Sequence, residues 1–405
     1  MTDPSRRAFI TGCGAISPLG CGVPAFWRGL LEGRSALAPI RSFDTTGLTN
    51  TLAAEVPDFV PEQHLSAAEA RRLDRVGQYA LAAAREALRD ARLDLARIDR
   101  TRAGVIAATT LGSMALAEAY LRSRRDGTPF APRQLLHVPY AATATRLARA
   151  LEVCGPVVSP SIACASGTHA VGLALELIRC GHGDVFVVGG AESVCHFVVT
   201  GFNSLRATTA TAVRPFDAQR DGLAIGEGAA ILVVESAAHA EARGAPLQIE
   251  VAGSGLSSDA VHMTAPARDG AGAARAMRAA LRDAGVTPHE IEFVSAHGTG
   301  TVYNDAMEGA ALTAVFGEAT PRLPVNSIKG AIGHTLAAAG SFEAILCARA
   351  LREGLIPPTA GCVDLDPSCS LDVVRGAPRR LALRLALSTS SAFAGNNAAI
   401  VLRRR

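Results

Sequence analysis

Val157-Val158-Ser159-Pro160-Ser161-Ile162-Ala163-Cys164-Ala165-Ser166-Gly167-Thr168-His169 is the stretch on which the fold turns. Residues 157–163 read as a buried strand running into Cys164. Residues 165–179 carry helical periodicity, with Gly181 placed as a C′ residue. A second apolar strand follows over 184–189. Strand, tight turn, helix and strand in that order make a parallel βα unit, and such units gather ligands and catalysts at the carboxyl ends of their strands. The small residues flanking Cys164 permit a sharp turn and close approach of a buried helix. That turn puts the thiol at a helix N-terminus, where the dipole and free N–H groups favour thiolate and can hold an oxyanion. On these residues alone, a buried and inert cysteine is an equal alternative.

Working outward, residues 8–14 read as a strand, 16–22 as a loop and 27–31 as helix, and 67–91 as one long helix rich in Ala and Arg. Residues 103–108 form another buried strand, ending in Thr109-Thr110-Leu111-Gly112. Later the same logic recurs. A strand over 291–296 ends at His297-Gly298-Thr299-Gly300-Thr301; a strand over 325–328 meets the turn Lys329-Gly330, and a helix follows over 334–351. Strands alternating with helices imply an α/β protein with a mostly parallel sheet, and the repeated order hints at two similar halves.

Cys164, His297 and His334 therefore all fall at strand ends. Each histidine alone reads more often as a satisfied polar residue. Together they suit one chemistry. A thiolate takes an acyl group from a thioester; a second thioester then forms a carbanion, for instance by losing CO₂. Two imidazoles can donate hydrogen bonds to that second carbonyl and stabilise the enolate. No HExxH or carboxylate cluster suggests a metal.

The bulk numbers fit this reading. The 405 residues are 49% hydrophobic and 19% charged, as in a well-buried globular chain. A net charge of +3 is too small to argue for nucleic acid, although a local arginine patch fits. Nine cysteines without a CxxC pair argue against a disulfide framework or a zinc site. No run of about 18 apolar residues suggests a membrane span, and the first twenty residues lack the apolar stretch of a signal peptide. The expected compartment is the reducing cytoplasm, where a thiol stays free for chemistry.

The motifs Ala163-Cys164-Ala165-Ser166-Gly167, Gly189-Gly190-Ala191-Glu192, Arg214-Pro215-Phe216-Asp217, Arg220-Asp221-Gly222, Gly226-Glu227-Gly228-Ala229, His297-Gly298-Thr299-Gly300-Thr301, Lys329-Gly330-x-x-Gly333-His334 and Phe393-Ala394-Gly395-Asn396-Asn397 occur in that order. So arranged, the chain resembles an elongating β-ketoacyl-[acyl-carrier-protein] synthase of the thiolase superfamily over nearly its whole length. The resemblance implies a thiolase-like five-layered αβαβα fold. Its halves would be residues 1–245, with the nucleophile, and 246–405, with both histidines. It implies that Cys164 is acylated, that His297 and His334 serve decarboxylation and condensation, and that Lys329 supports them, paired with Glu343. The amides of Cys164 and Phe393 would form the oxyanion hole, with Phe393 gating the extender unit. Thr264, Thr299 and Thr301 would line a phosphopantetheine tunnel. Leu111 and Phe202 would border the acyl pocket, Leu111 near a dimer partner. Asp305 and Glu308 would orient or ion-pair. Arg71, Arg72, Arg133 and Arg206 would meet an acidic acyl carrier protein. No cofactor of its own is implied, since substrates ride on the carrier's phosphopantetheine. The partner would be a second copy or a chain-length-factor-like subunit.

Departures from the family pattern point to a specialised role. The usual Phe-Gly-Phe-Gly-Gly-Thr-Asn loop is here Ser391-Ala392-Phe393-Ala394-Gly395-Asn396-Asn397, the stretch 208–213 is short, and Gln134 stands where a second basic residue is expected. These lean toward type II polyketide or polyene synthesis over housekeeping fatty acid synthesis. The rival readings are an acyltransferase or thioester hydrolase using the same thiol, and a weakly active partner subunit. A degradative thiolase would need a second catalytic cysteine, and an initiating synthase an Asn in place of His334.

Overall fold

The computed structural model describes residues 3–405. Ten strands carry the architecture: β1 (Ala8–Ser17), β2 (Ala103–Ala108), β3 (Val157–Val158), β4 (Val185–Glu192), β5 (Gly228–Ser236), β6 (Ile249–Ser258), β7 (Phe293–Ser295), β8 (Pro324–Asn326), β9 (Leu385–Ser391) and β10 (Asn396–Arg404). They lie side by side in the order β8-β7-β9-β10-β6-β1-β5-β4-β2-β3. Residues up to β5 thus give β3-β2-β4-β5-β1, and the later strands repeat that order as β8-β7-β9-β10-β6. The first strand of each set, β1 and β6, pair antiparallel and join the two sheets.

Within each set four strands run in one direction and one, β5 or β10, runs against them. Most strands of each half thus run parallel, as the sequence suggested, with one reversed strand in each. The reversed strands β5 and β10, and the strands β6 and β9 that flank β10, were not read from the sequence.

Six helices complete five layers. The helices α1 (Arg75–Asp90) and α2 (Ala141–Leu151) cover the outer face of the first sheet. Between the sheets lie α3 (Ser166–Arg179) and α6 (Ala339–Glu353), each touching strands of both. On the outer face of the second sheet, α4 (Ala271–Ala284) lies on β6 and β10, and α5 (Val302–Phe316) lies against α4. This is the αβαβα arrangement that the resemblance implied.

Glycines set the layer spacing. A Cβ on Gly12 or Gly14 of β1 would lie 2.1 or 2.0 Å from the carbonyl oxygen of Ala87 or Ala83 in α1. In the other half, a Cβ on Gly255 of β6 would lie 2.2 Å from the Ala276 oxygen of α4. Alanine-faced helices thus rest directly on glycine-bearing strands. Both strands also bulge at the same relative place, between Ile10 and Gly12 and between Val251 and Gly253. Such a bulge re-aims the strand and tightens its twist.

Three expected elements differ. The long helix over 67–91 is two, Ala67–Arg72 and α1, because Leu73 is extended and Asp74 caps α1 by accepting from the Gly77 amide. The strand leading to Cys164 is only Val157–Val158: Pro160 has no N–H for a ladder, and Ile162 gives its amide to the Ser166 hydroxyl. The helix expected from 334 starts at Ala339, because the backbone of His334 is bound elsewhere.

Gly14→Ala tests the layer spacing. Overfilling such a contact costs about 1–3 kcal/mol, so the urea midpoint falls; an unchanged midpoint would mean the layers yield freely.

Candidate active site

The chain reaches Cys164 through Ala163, whose φ is +51°, a left-handed conformation that a residue with a Cβ adopts at a penalty. Ser166 staples the turn: its hydroxyl donates to the Ala163 carbonyl at 2.6 Å and accepts from the Ile162 amide at 2.8 Å. The helix α3 then runs inward, with Gly167 so close to the start of α6 that a Cβ would lie 2.5 Å from the Ala337 oxygen just before it and 2.8 Å from the Ser341 amide nitrogen within it.

His297 follows β7. Its amide and that of Gly298 both donate to the Glu308 carboxylate, at 2.6 and 2.7 Å. Asp305 accepts from the amides of Phe216 and Gly300, at 2.7 and 3.2 Å. Both acids thus face backbone, the orienting arrangement. Burial raises both carboxyls, that of Glu308 to about 8.

His334 follows a single helical turn, Lys329–Ile332, and Gly333 at φ +65°. Its amide donates to the Ala224 carbonyl at 2.7 Å, and its carbonyl accepts from the Gly226 amide at 2.9 Å. Gly226 is required there, since its Cβ would lie 2.1 Å from the Ile332 oxygen.

The two imidazoles meet edge to face, centroids 5.2 Å apart. Burial, and then the Lys329 charge, holds both well below the ordinary histidine range, so both are neutral at physiological pH. Their Nδ1 atoms are buried without a hydrogen-bond partner.

Cys164, His297 and His334 share one cavity of about 340 Å³ with Phe202, Arg206, Thr264, Thr299, Thr301 and Phe393. A larger open hollow, about 790 Å³, contains none of the three catalytic candidates. Phe393 stacks on Phe202 at 5.4 Å. The loop around it is held to the segment at Asp259: Ala394 donates its amide to the Met263 carbonyl at 2.7 Å, and Asn397 Nδ2 donates to Asp259 at 2.8 Å. Ala394 sits at φ +62°, a left-handed conformation that glycine adopts far more readily. Leu111 does not line the cavity; it packs with Phe202 on a neighbouring apolar cluster.

Behind the cavity lies the pair that the resemblance implied. Lys329 Nζ is 2.6 Å from Glu343 Oε1, both side chains fully buried, and also donates to the His297 carbonyl. Glu343 Oε2 in turn accepts from the Ser390 hydroxyl at 3.3 Å, which lies 2.7 Å from that of Thr168. Burial raises the Glu343 carboxyl, opposed by Lys329. Ser390 and Thr168 escaped the sequence reading, because only the fold brings β9 against α3.

The thiol differs from expectation. Burial pushes Cys164 up to about 12, outweighing Lys329 and the amides of Cys164 and Phe393, which act the other way. The helix terminus does not produce a resting thiolate. Cys347, Cys362 and Cys369 are buried away from the cavity. Arg71, Arg72, Arg133 and Arg206 are exposed, and only Arg206 touches the cavity mouth.

Residues 5–240 match the family described as the Beta-ketoacyl synthase N-terminal domain, and residues 248–363 its C-terminal domain. The 3-oxoacyl-[acyl-carrier-protein] synthase 2 of Staphylococcus aureus is 39% identical, with 99% of each chain covered. The solved ishigamide ketosynthase/chain length factor is 41% identical with a TM-score of 0.94, over 99% of each chain. A ketosynthase of the AntDE:AntF type II PKS complex with its acyl-carrier protein, bound to the hexaketide, is 32% identical with a TM-score of 0.90, again over 99% of each. Among the described residues, no helix is long and apolar enough to cross a membrane.

Two outcomes test the site. Lys329→Ala leaves Glu343 buried and unpaired, an effect of about 3–5 kcal/mol on unfolding; Lys329→Met with Glu343→Leu recovers most of that stability but not activity. Separately, alkylation of Cys164 by iodoacetamide rises about tenfold per pH unit from pH 6 to 9, because the thiolate fraction grows with pH below the thiol's pKa. A plateau below pH 8 would show a depressed pKa instead.

Proposed function

The chain belongs to the β-ketoacyl synthase family and is a condensing enzyme acting on carrier-borne acyl groups; from that premise we propose how its residues divide the reaction. The observation that carries the reading is the single cavity shared by one thiol and two neutral imidazoles.

Cys164 attacks the acyl-carrier thioester, and its proton passes to a neutral imidazole as the C–S bond forms. The amides of Cys164 and Phe393 receive the oxyanion. The carrier thiol leaves with the proton. Malonyl-carrier then enters past Phe393, its phosphopantetheine along Thr264, Thr299 and Thr301. Loss of CO₂ places charge on its thioester carbonyl, where His297 and His334 donate hydrogen bonds; a neutral ring can do so without giving up its proton. The carbanion attacks the Cys164 thioester; collapse breaks the C–S bond, releases a β-ketoacyl chain two carbons longer on the carrier, and leaves the Cys164 thiolate, which takes a proton from water. Lys329 and Glu343 hold the frame; Asp305 and Glu308 fix the His297 loop. No cofactor of its own enters. The nucleophile belongs to a half spanning 1–245 and the histidines to one spanning 246–405.

The favoured setting is specialised type II polyketide or polyene synthesis in the cytoplasm. The support is Ala394 in a left-handed conformation within the Phe393 loop, together with solved type II relatives. Arg71, Arg72, Arg133 and Arg206 contact the acidic carrier. The dimer partner is a second copy or a chain-length-factor-like subunit, with Leu111 close to that contact and Phe202 bordering the acyl pocket. Hydrolysis of the acyl-Cys164 thioester, or bare acyl transfer, is the competing reading.

Acyl-carrier and malonyl-carrier given together yield CO₂ and the two-carbon-longer β-keto product. Cys164→Ala abolishes acylation, and Cys164→Gln abolishes condensation while malonyl decarboxylation persists. His334→Ala blocks decarboxylation and leaves some acylation. Near wild-type condensation by the His334 variant would overturn the role assignment.

A further inference from the structure

The basic segments are joined beneath the surface by a side-chain cluster that the reaction does not use. Arg71 and Arg72 end the helix Ala67–Arg72; two residues on, Asp74 caps α1. Arg133 lies in the turn Pro132–His137. The Asp74 carboxylate stands 3.3 Å from His137 Nδ1 and accepts a hydrogen bond from the Ser113 hydroxyl. The side chains of His137 and Asp74 are 10% and 7% exposed, and Ser113 is buried. Burial acts to raise the Asp74 carboxyl, but His137, Ser113 and the Gly77 amide hold it below the usual range.

Ser113 leads back to the catalytic side. It follows the turn at the end of β2, where the Thr110 hydroxyl donates to Glu192 at 2.7 Å. Glu192 is fully buried, close enough for its charge to oppose the Cys164 thiolate. Gly112 lets the Val138 carbonyl approach; a Cβ there would lie 2.4 Å from it. One cluster therefore joins three segments: the helix with Arg71 and Arg72, the turn with Arg133, and the strand end beside the thiol. Among the described residues those three arginines form no ion pair, so no charged neighbour fixes their spacing.

We propose that Asp74 is a positioning residue for the carrier protein. With Ser113 and His137 it holds the Arg71–Arg72 and Arg133 segments as one rigid basic surface matched to an acidic carrier. The inference rests on those arginines being carrier contacts. A preassembled surface spares the ordering that docking would otherwise demand, and a fixed pattern of positive charge steers and registers an acidic partner.

The experiment compares carrier-borne substrates with acyl- and malonyl-pantetheine thioesters, which bypass the surface. Asp74→Asn and the milder His137→Gln are measured beside the double variant Arg71→Ala/Arg133→Ala. Expected for Asp74→Asn is a rise of about tenfold in KM for carrier-borne substrates. Its kcat stays within about twofold and its kcat/KM for pantetheine thioesters is unchanged. His137→Gln shifts the same way by less. If the arginine double raises carrier KM and neither cluster variant does, positioning is overturned and docking stands. If the arginine double leaves carrier KM unchanged, the docking reading falls and the proposal with it. An equal loss on both substrate forms also overturns it, because damage to the fold would not distinguish them.

Discussion

The site depends on one buried ion pair. Lys329 and Glu343 meet at 2.6 Å with no solvent contact. Burying two charges carries a desolvation penalty of several kcal/mol per ion, so a pair like this is a poor source of stability. What it supplies is registration. Lys329 binds the carbonyl of His297 and lies five residues before His334, while Glu343 reaches through Ser390 to Thr168, four residues past the nucleophile. One cation and one anion thereby tie together the ends of three strands and the start of a central helix. The same positive charge favours the Cys164 thiolate and disfavours imidazolium at both histidines. It holds the pair of rings as neutral donors and leaves a single thiol as the group that must lose a proton.

The internal duplication explains why the parts can meet. Both halves use the same strand order, and each sends a helix, α3 or α6, into the layer between the sheets. The two helices start close together: Gly167 admits the Ala337 carbonyl, and a Cβ on Gly340 would collide with Thr168. The nucleophile begins the first helix, the acid of the ion pair lies on the second, and the histidines stand on neighbouring strand ends. The site is thus built across two halves, with glycines marking the points of closest approach.

What could be read from sequence followed range. Cys164, His297 and His334 announce themselves locally, because small residues and glycines at strand ends serve sharp turns. The five-layered fold came with the order of motifs. The elements misread were decided by distant partners. His334 is extended because Ala224 and Gly226 take its backbone bonds, and no local periodicity contains that. The short strand before Cys164 could have been foreseen from Pro160, and the helix break from Asp74, a strong N-capping residue inside an alanine-rich run. The thiol's high pKa was beyond reach, since it depends on burial by residues from both halves. Leu111, assigned to the acyl pocket by resemblance, packs with Phe202 in the apolar cluster beside the cavity without lining the cavity itself.

Mass spectrometry of the acyl group carried during turnover tests the central claim most directly. After incubation with acyl-carrier protein, the account predicts one acyl adduct, on the peptide containing Cys164. Addition of malonyl-carrier protein discharges it as the β-ketoacyl-carrier product forms. An adduct on another residue, or discharge of the Cys164 adduct as free acid without CO₂ release, would contradict it.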